Sequence, residues 1–176
     1  MTPTSTALTG RTALVTGASR RRGIGAAIAR RLAAAGASVV IHHHRPHDEA
    51  QPWGGDDLEA VLEQIRPLLG PGAGLYEVAG DLSQPDTPSQ VVQRAQELAG
   101  PLDIVVCNHA ASGMDGPLLE QTVEQLDYHW AVDARSVLLI TQAFARLHDP
   151  TRPGARVVWM TSGQQLGPLP GEIAYG

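Results

Sequence analysis

Apolar and polar positions along the chain alternate between short continuous runs and longer amphipathic stretches. Thr12–Thr16 (TALVT) is apolar and β-branched and stops at Gly17. A short unbroken run of this kind predicts a strand buried on both faces. A turn rich in Gly and Arg follows from Gly17 to Gly25, and Ala26–Ala35, dense in Ala, Leu and Arg, predicts a helix closed by Gly36. Ser38–Ile41 predicts a second buried strand. Strand, helix and strand in about 30 residues make a βαβ unit with a right-handed crossover. His42–Gly55, broken by Pro46 and Pro52, predicts a polar loop. Asp56–Leu69 carries Leu58, Val61, Leu62, Ile65 and Leu69 at helical spacing. Leu75–Ala79 predicts a third strand, Thr87–Leu98 a helix, and Leu102–Cys107 a fourth strand ending at Asn108. Val123–Leu147 predicts one long helix, Arg156–Met160 a fifth strand, and Gly163–Gly176 a loop with the start of a helix.

This alternation predicts an α/β fold, a doubly wound parallel sheet of Rossmann type with strand order 3-2-1-4-5. One dinucleotide-binding domain is expected over residues 1–176, with no linker and no internal repeat. Its last residues, Ile173–Gly176, read as the beginning of an element, so the domain is expected to be incomplete at its C-terminus.

Composition narrows the function. With 43% hydrophobic and 18% charged residues among 176, the chain has a globular balance, and a net charge of −5 argues against a nucleic-acid binder. No apolar run approaches the roughly 20 residues of a membrane helix, and Met1–Gly10 lacks the pattern of a signal peptide. Cys107, the single cysteine, has no internal disulfide partner, which fits a reducing compartment. A cytoplasmic protein is expected. All 13 basic residues are arginines; there is no lysine.

In an open α/β sheet, ligands bind beyond the carboxyl ends of the strands. The first such end here is the segment Thr16–Gly25 (TGASRRRGIG). Gly17 lets the chain turn off the strand, and Gly23 and Gly25 let backbone approach a pyrophosphate and let the helix pack closely. The helix N-terminus offers N–H groups and a partial positive charge. Arg20, Arg21 and Arg22 supply guanidinium groups that grip phosphate, a 2′-phosphate included.

The turn resembles the TGxxxGxG fingerprint of the short-chain dehydrogenase/reductase family, with five residues between Gly17 and Gly23 in place of three. The longer version resembles a branch often labelled 3-oxoacyl-(acyl-carrier-protein) reductase, as does Pro52-Trp53-Gly54. Gly80-Asp81-Leu82, Asn108-His109-Ala110-Ala111 and the segment from Thr161-Ser162-Gly163 to Tyr175 resemble further signatures of the family in the right order. The resemblance implies that Gly17, Gly23, Ile24 and Gly25 cradle the pyrophosphate and that Asp81 and Leu82 contact the adenine. It implies that Asn108 and Ala110 line the ribose side. Ser19, Arg20 and Arg22 join the cofactor-binding set. Ser162 would orient the substrate oxygen and Tyr175 would be the general acid/base, 13 positions later, as in the family.

Two departures stand out. Asp133 occupies the position of the family's helix Asn, which serves a proton relay. The family's YxxxK lysine would fall at position 179, beyond Gly176. That lysine lowers the tyrosine pKa; an unperturbed Tyr titrates near 10, so only about 0.1% is ionised at pH 7. The resemblance also implies further strands beyond the fifth, which would otherwise be an apolar edge.

NAD-preferring members often carry an acidic residue at the end of the second strand. The matching position is His43, within the run His42-His43-His44-Arg45. With the arginines, this leans towards NADP(H) over NAD(H). His42, His43, His44 and His47 lack the spacing of a metal motif, so they read as a polar, cofactor-facing loop and no metal is expected. His109 and His129 read as structural or cofactor-side residues, Cys107 as core, and Trp53 as packing its loop onto the sheet. The leading expectation is an NADP(H)-dependent oxidoreductase acting on a small-molecule carbonyl/alcohol pair, such as a 3-oxoacyl thioester, with homo-oligomers open. The alternative is a catalytically inactive, truncated nucleotide-binding protein.

Overall fold

Five parallel strands form a single sheet in the order β3-β2-β1-β4-β5 in the computed structural model, which describes residues 6–175. The strands are β1 (Thr12–Val15), β2 (Ser38–His43), β3 (Leu75–Ala79), β4 (Ile104–Cys107) and β5 (Arg156–Trp159). β1 lies at the centre, with Leu14 opposite Val40 on one side and Val105 on the other. The order of the strands reverses between β1 and β4, and the crevice of a doubly wound sheet opens there.

Side chains alternate across the sheet, so each strand feeds two cores. Ala13, Val15, Val39 and Ile41 pack with Ala29, Ala33, Val61 and Ile65 of helices α1 (Ile24–Ala34) and α3 (Leu58–Ile65). Leu14, Val40 and Val105 point the other way, to Val91, Val92, Ile140 and Phe144 of α4 (Thr87–Ala99) and α6 (Ser136–Leu147). The continuous apolar runs of the strands follow from this two-sided burial.

Two segments differ from the reading of the sequence. β2 continues through His42 and His43, which pair with Val78 and Ala79. What reads as a polar loop then holds a short helix, α2 (Arg45–Ala50). Pro46 in its first turn has the φ a helix start needs, and Asp48 in the same turn meets the positive end of the helix. The long helix runs unbroken from Val123 to Leu147, as expected, with one irregularity inside it. α5 (Val123–His129) opens with a reciprocal cap between Thr122 and Gln125, and a wider π-type turn over Trp130–Arg135 leads into α6.

At the amino ends of the strands, the fully buried Asp103 accepts hydrogen bonds from Arg11 (2.7 Å), Arg152 (2.8 Å) and the Thr12 N–H (3.0 Å). One carboxylate thus ties the starts of β1 and β4 to the loop before β5. β5 itself is the sheet edge, with Val158 and Trp159 about half exposed. Among the described residues no helix is long and apolar enough to cross a membrane.

Candidate active site

The glycine turn is wedged against the end of β4. Gly17 has φ +64°, and a Cβ there would lie 2.6 Å from the His109 Cα. A Cβ on Gly25 would lie 2.5 Å from the Gly17 carbonyl oxygen and 2.7 Å from Asn108 Nδ2. The Asn108 amide in turn donates to the carbonyls of Thr16 (3.1 Å) and Gly17 (2.9 Å). Asn108 therefore braces the turn. α1 is preceded by Gly23 as its cap residue, with no side-chain cap and no acidic residue in its first turn. Its first N–H groups have no partner within the helix and suit an anion.

Beside this turn lies a groove of about 360 Å³. Gly17, Ser19, Arg20, Arg22, Gly23 and Ile24 form one wall. Asp81, Leu82, Asn108 and Ala110 line it from the ends of β3 and β4. Gly25 stands just behind, buried in the packing of the turn. Arg21 turns outward, its backbone N–H and Nε both bound to Asp56 at 2.8 and 3.0 Å. Arg20 sits 4.9 Å from the centre of the Trp53 ring, and Trp53 is half exposed at the groove, not packed on the sheet.

His43, expected at the cofactor, is not brought to the groove. β2 turns its ring away, and Nε2 lies 2.7 Å from Glu77 Oε2 on β3. Its neighbours His42 and His44 line the groove, as strand alternation requires. His42 Nδ1 accepts from the Gly17 N–H at 3.4 Å, so Nε2 carries the proton and donates to the Gly80 carbonyl at 3.0 Å. Burial, with His109 nearby, lowers its pKa to about 3, so a neutral ring pegs the glycine turn to the end of β3. His109 is likewise neutral, lowered by burial to about 4, with its ring nitrogens 2.6 Å from Thr16 Oγ1 and Ser136 Oγ.

A second cavity, about 650 Å³, adjoins the first and shares Ile24, Asn108, His109 and Ala110 with it. Ser162 and Tyr175 both line it, together with His129 and Asp133. The Tyr175 segment is held by Asp115, whose carboxylate accepts from the N–H groups of Ala174 (3.0 Å) and Tyr175 (2.9 Å). Burial raises the Tyr175 pKa, and the charges of Asp133 and Glu172 raise it further. Asp133 sits in the π-type turn, where Oδ1 accepts from the Ala111 N–H at 2.6 Å. Burial raises its pKa as well, against the pull of Ala111 and His129.

Asp48 and Tyr128, to which the sequence did not point, and His47, from the histidine run read as cofactor-facing, also line the first groove. Two of them sit on α2, whose Pro46-containing start was the available signal. Among the described residues no three His, Cys, Asp or Glu side chains are grouped to hold a metal.

The profile of the short chain dehydrogenase family matches residues 11–176. This chain belongs to that family. An uncharacterized oxidoreductase, YjdA, of Bacillus subtilis is 34% identical over 93% of this chain and 61% of its own length. A hydroxynaphthalene reductase of Aspergillus fumigatus is 34% identical over 96% of this chain and 55% of its own. A short chain dehydrogenase from Burkholderia cenocepacia, solved in complex with NADP, superposes with a TM-score of 0.77 at 35% identity, over 96% of this chain and 62% of that one. A 3-oxoacyl (acyl-carrier-protein) reductase from Agrobacterium tumefaciens with NADP bound gives 0.78 at 35% identity, over 99% of this chain and 61% of that one. This chain thus spans about three fifths of the length of these relatives.

Proposed function

We propose that the chain carries the cofactor site and the reacting residues of an NADPH-dependent carbonyl reductase. The observation that carries this reading is the continuity of the two cavities through Ile24, Asn108, His109 and Ala110. Arg20, Arg22 and Asp81 would hold the adenosine half of a dinucleotide laid along them, and Ser162 and Tyr175 would face its other half. The open N-terminus of α1, between them, would hold the pyrophosphate. The arginines favour NADP(H) over NAD(H), as does the NADP bound in two of the solved relatives.

When bound, NADPH supplies the hydride. The Ser162 hydroxyl donates a hydrogen bond to the carbonyl oxygen and holds it in place. The Tyr175 phenol gives that oxygen its proton as the alcohol forms, and solvent restores the phenol. A 3-oxoacyl thioester is the favoured substrate class.

NADPH oxidation with an acetoacetyl thioester tests the reading. Tyr175→Phe is expected to lower kcat by roughly 100-fold or more with NADPH affinity unchanged. Equal turnover in the variant contradicts the role of Tyr175. A second reading, a nucleotide binder without turnover, is favoured by the raised pKa of Tyr175 beside Asp133 and Glu172. It predicts NADPH binding and no oxidation in either protein.

A further inference from the structure

The end of β2 carries no acidic side chain, yet the groove holds a second carboxylate besides Asp81. Asp48 reaches it from α2, five positions beyond His43, and is 7% exposed. Its Oδ2 accepts a short hydrogen bond from the Ser19 hydroxyl in the glycine turn. Ser19 stands next to Arg20, one of the two arginines that line the same wall. Asp48 thus lines the same groove as Arg20 and Arg22, beside the glycine turn, where the adenosine half of a dinucleotide would lie on the reading above.

Asp48 is not free to swing away. α2 is fixed on three sides. Ser19 holds Asp48, the Tyr128 hydroxyl lies 3.3 Å from His47 Nδ1, and Gln51 Nε2 donates to the Ser112 carbonyl at 3.1 Å. These contacts join α2 to the glycine turn, to α5 and to the loop after β4, across the mouth of the crevice. A carboxylate fixed at such a point has a definite sign of interaction with whatever the ribose carries. It accepts hydrogen bonds from a 2′-hydroxyl and repels a 2′-phosphate.

We propose that Asp48 is a cofactor-specificity residue, set against the 2′-phosphate of NADP(H) and towards the ribose hydroxyls of NAD(H). This rests on the reading of the groove as a dinucleotide site. Arg20 and Arg22 attract the phosphate and Asp48 opposes it, so the protein separates the two cofactors less than its arginines alone would.

The test is the ratio of the dissociation constants for NAD+ and NADP+, measured by calorimetry on the wild type and on Asp48→Asn. Asn keeps the shape and an oxygen that accepts from Ser19, and removes the charge. The ratio is expected to move about tenfold towards NADP+. A merely structural role for Asp48 would weaken both cofactors alike, and an unchanged ratio overturns the proposal. If Asp48→Asn does not fold, the wild type is titrated with adenosine 5′-monophosphate and adenosine 2′,5′-bisphosphate. The second phosphate should then add less than tenfold in affinity at low salt, and a gain of about 100-fold or more overturns the proposal. A wild type that binds neither cofactor fails at the earlier step, the reading of the groove, and takes the proposal with it.

Discussion

His129 Nδ1 lies 2.7 Å from Asp133 Oδ2, one helical turn away, and the His129 ring meets that of Tyr175 edge-on at 6.4 Å between centres. The other nitrogen, Nε2, faces the Gly113 carbonyl at 3.1 Å and must donate to it. Removing the Asp133 charge lightens the load on Tyr175, whose phenolate it opposes after burial itself. Asp133→Asn is expected to lower the Tyr175 pKa, read from phenolate absorbance with Tyr175→Phe as the blank. A pKa that stays put or rises would show that Asp133 does not act on the phenol.

Asp133→Ala is the harsher change. It strands the buried His129 ring and the Ala111 N–H, and a loss of about 2–4 kcal/mol is expected from leaving buried polar groups unpaired. Asp133→Asn keeps an acceptor for Ala111 and should lose less than half of that. Urea unfolding of the two variants makes the comparison.

Asp103 gives a second stability test. With the carboxylate gone, two guanidinium groups and the Thr12 N–H lose their partner together. Asp103→Ala should cost about 2–4 kcal/mol. Arg11→Ala or Arg152→Ala alone should cost about 1 kcal/mol, since each arginine is a third exposed and the other remains. Equal losses in all three variants would contradict the picture of a carboxylate at the hub.

The two neutral histidines set a pH dependence. His42 and His109 titrate at about 3 and about 4 in the fold, against 6.5 in the unfolded chain. Between those values the unfolded chain binds more protons, so stability is full above pH 6.5 and falls as the pH is lowered. Each ring contributes a slope of at most about 1.4 kcal/mol per pH unit. The urea midpoint should drop on going from about pH 7 to pH 5, and His42→Asn should flatten the drop. A midpoint that holds steady would mean that these rings are not buried neutral.

The sheet was legible because both periods of the chain are clean. Runs such as Val39–Ile41 and Val105–Cys107 are apolar on both faces, and the Ala-rich α1 is closed by Gly36. The glycine turn and the segments at Asp81 and Asn108 were legible because strand ends of a parallel sheet converge on one crevice. α2 was not, because six residues with two prolines nearby carry no measurable period. With it went Asp48, and His43 was read as facing the groove because the strand's register could not be fixed to one residue. The π-type turn at Trp130–Arg135 inside the long helix was equally hidden, since it barely disturbs the apolar spacing.

The crevice between the glycine turn and the ends of β3 and β4 is the proposed seat of NADP(H). Amide chemical-shift mapping of the nitrogen-labelled protein during an NADPH titration tests it most directly. The expected result is saturable shifts centred on Gly17, Gly23, Asp81 and Asn108, extending to Ser162 and Tyr175, and absent in Gly25→Val, where the added side chain meets the Gly17 carbonyl. Shifts that are absent at saturating cofactor, or that scatter over surfaces away from this crevice, would contradict it.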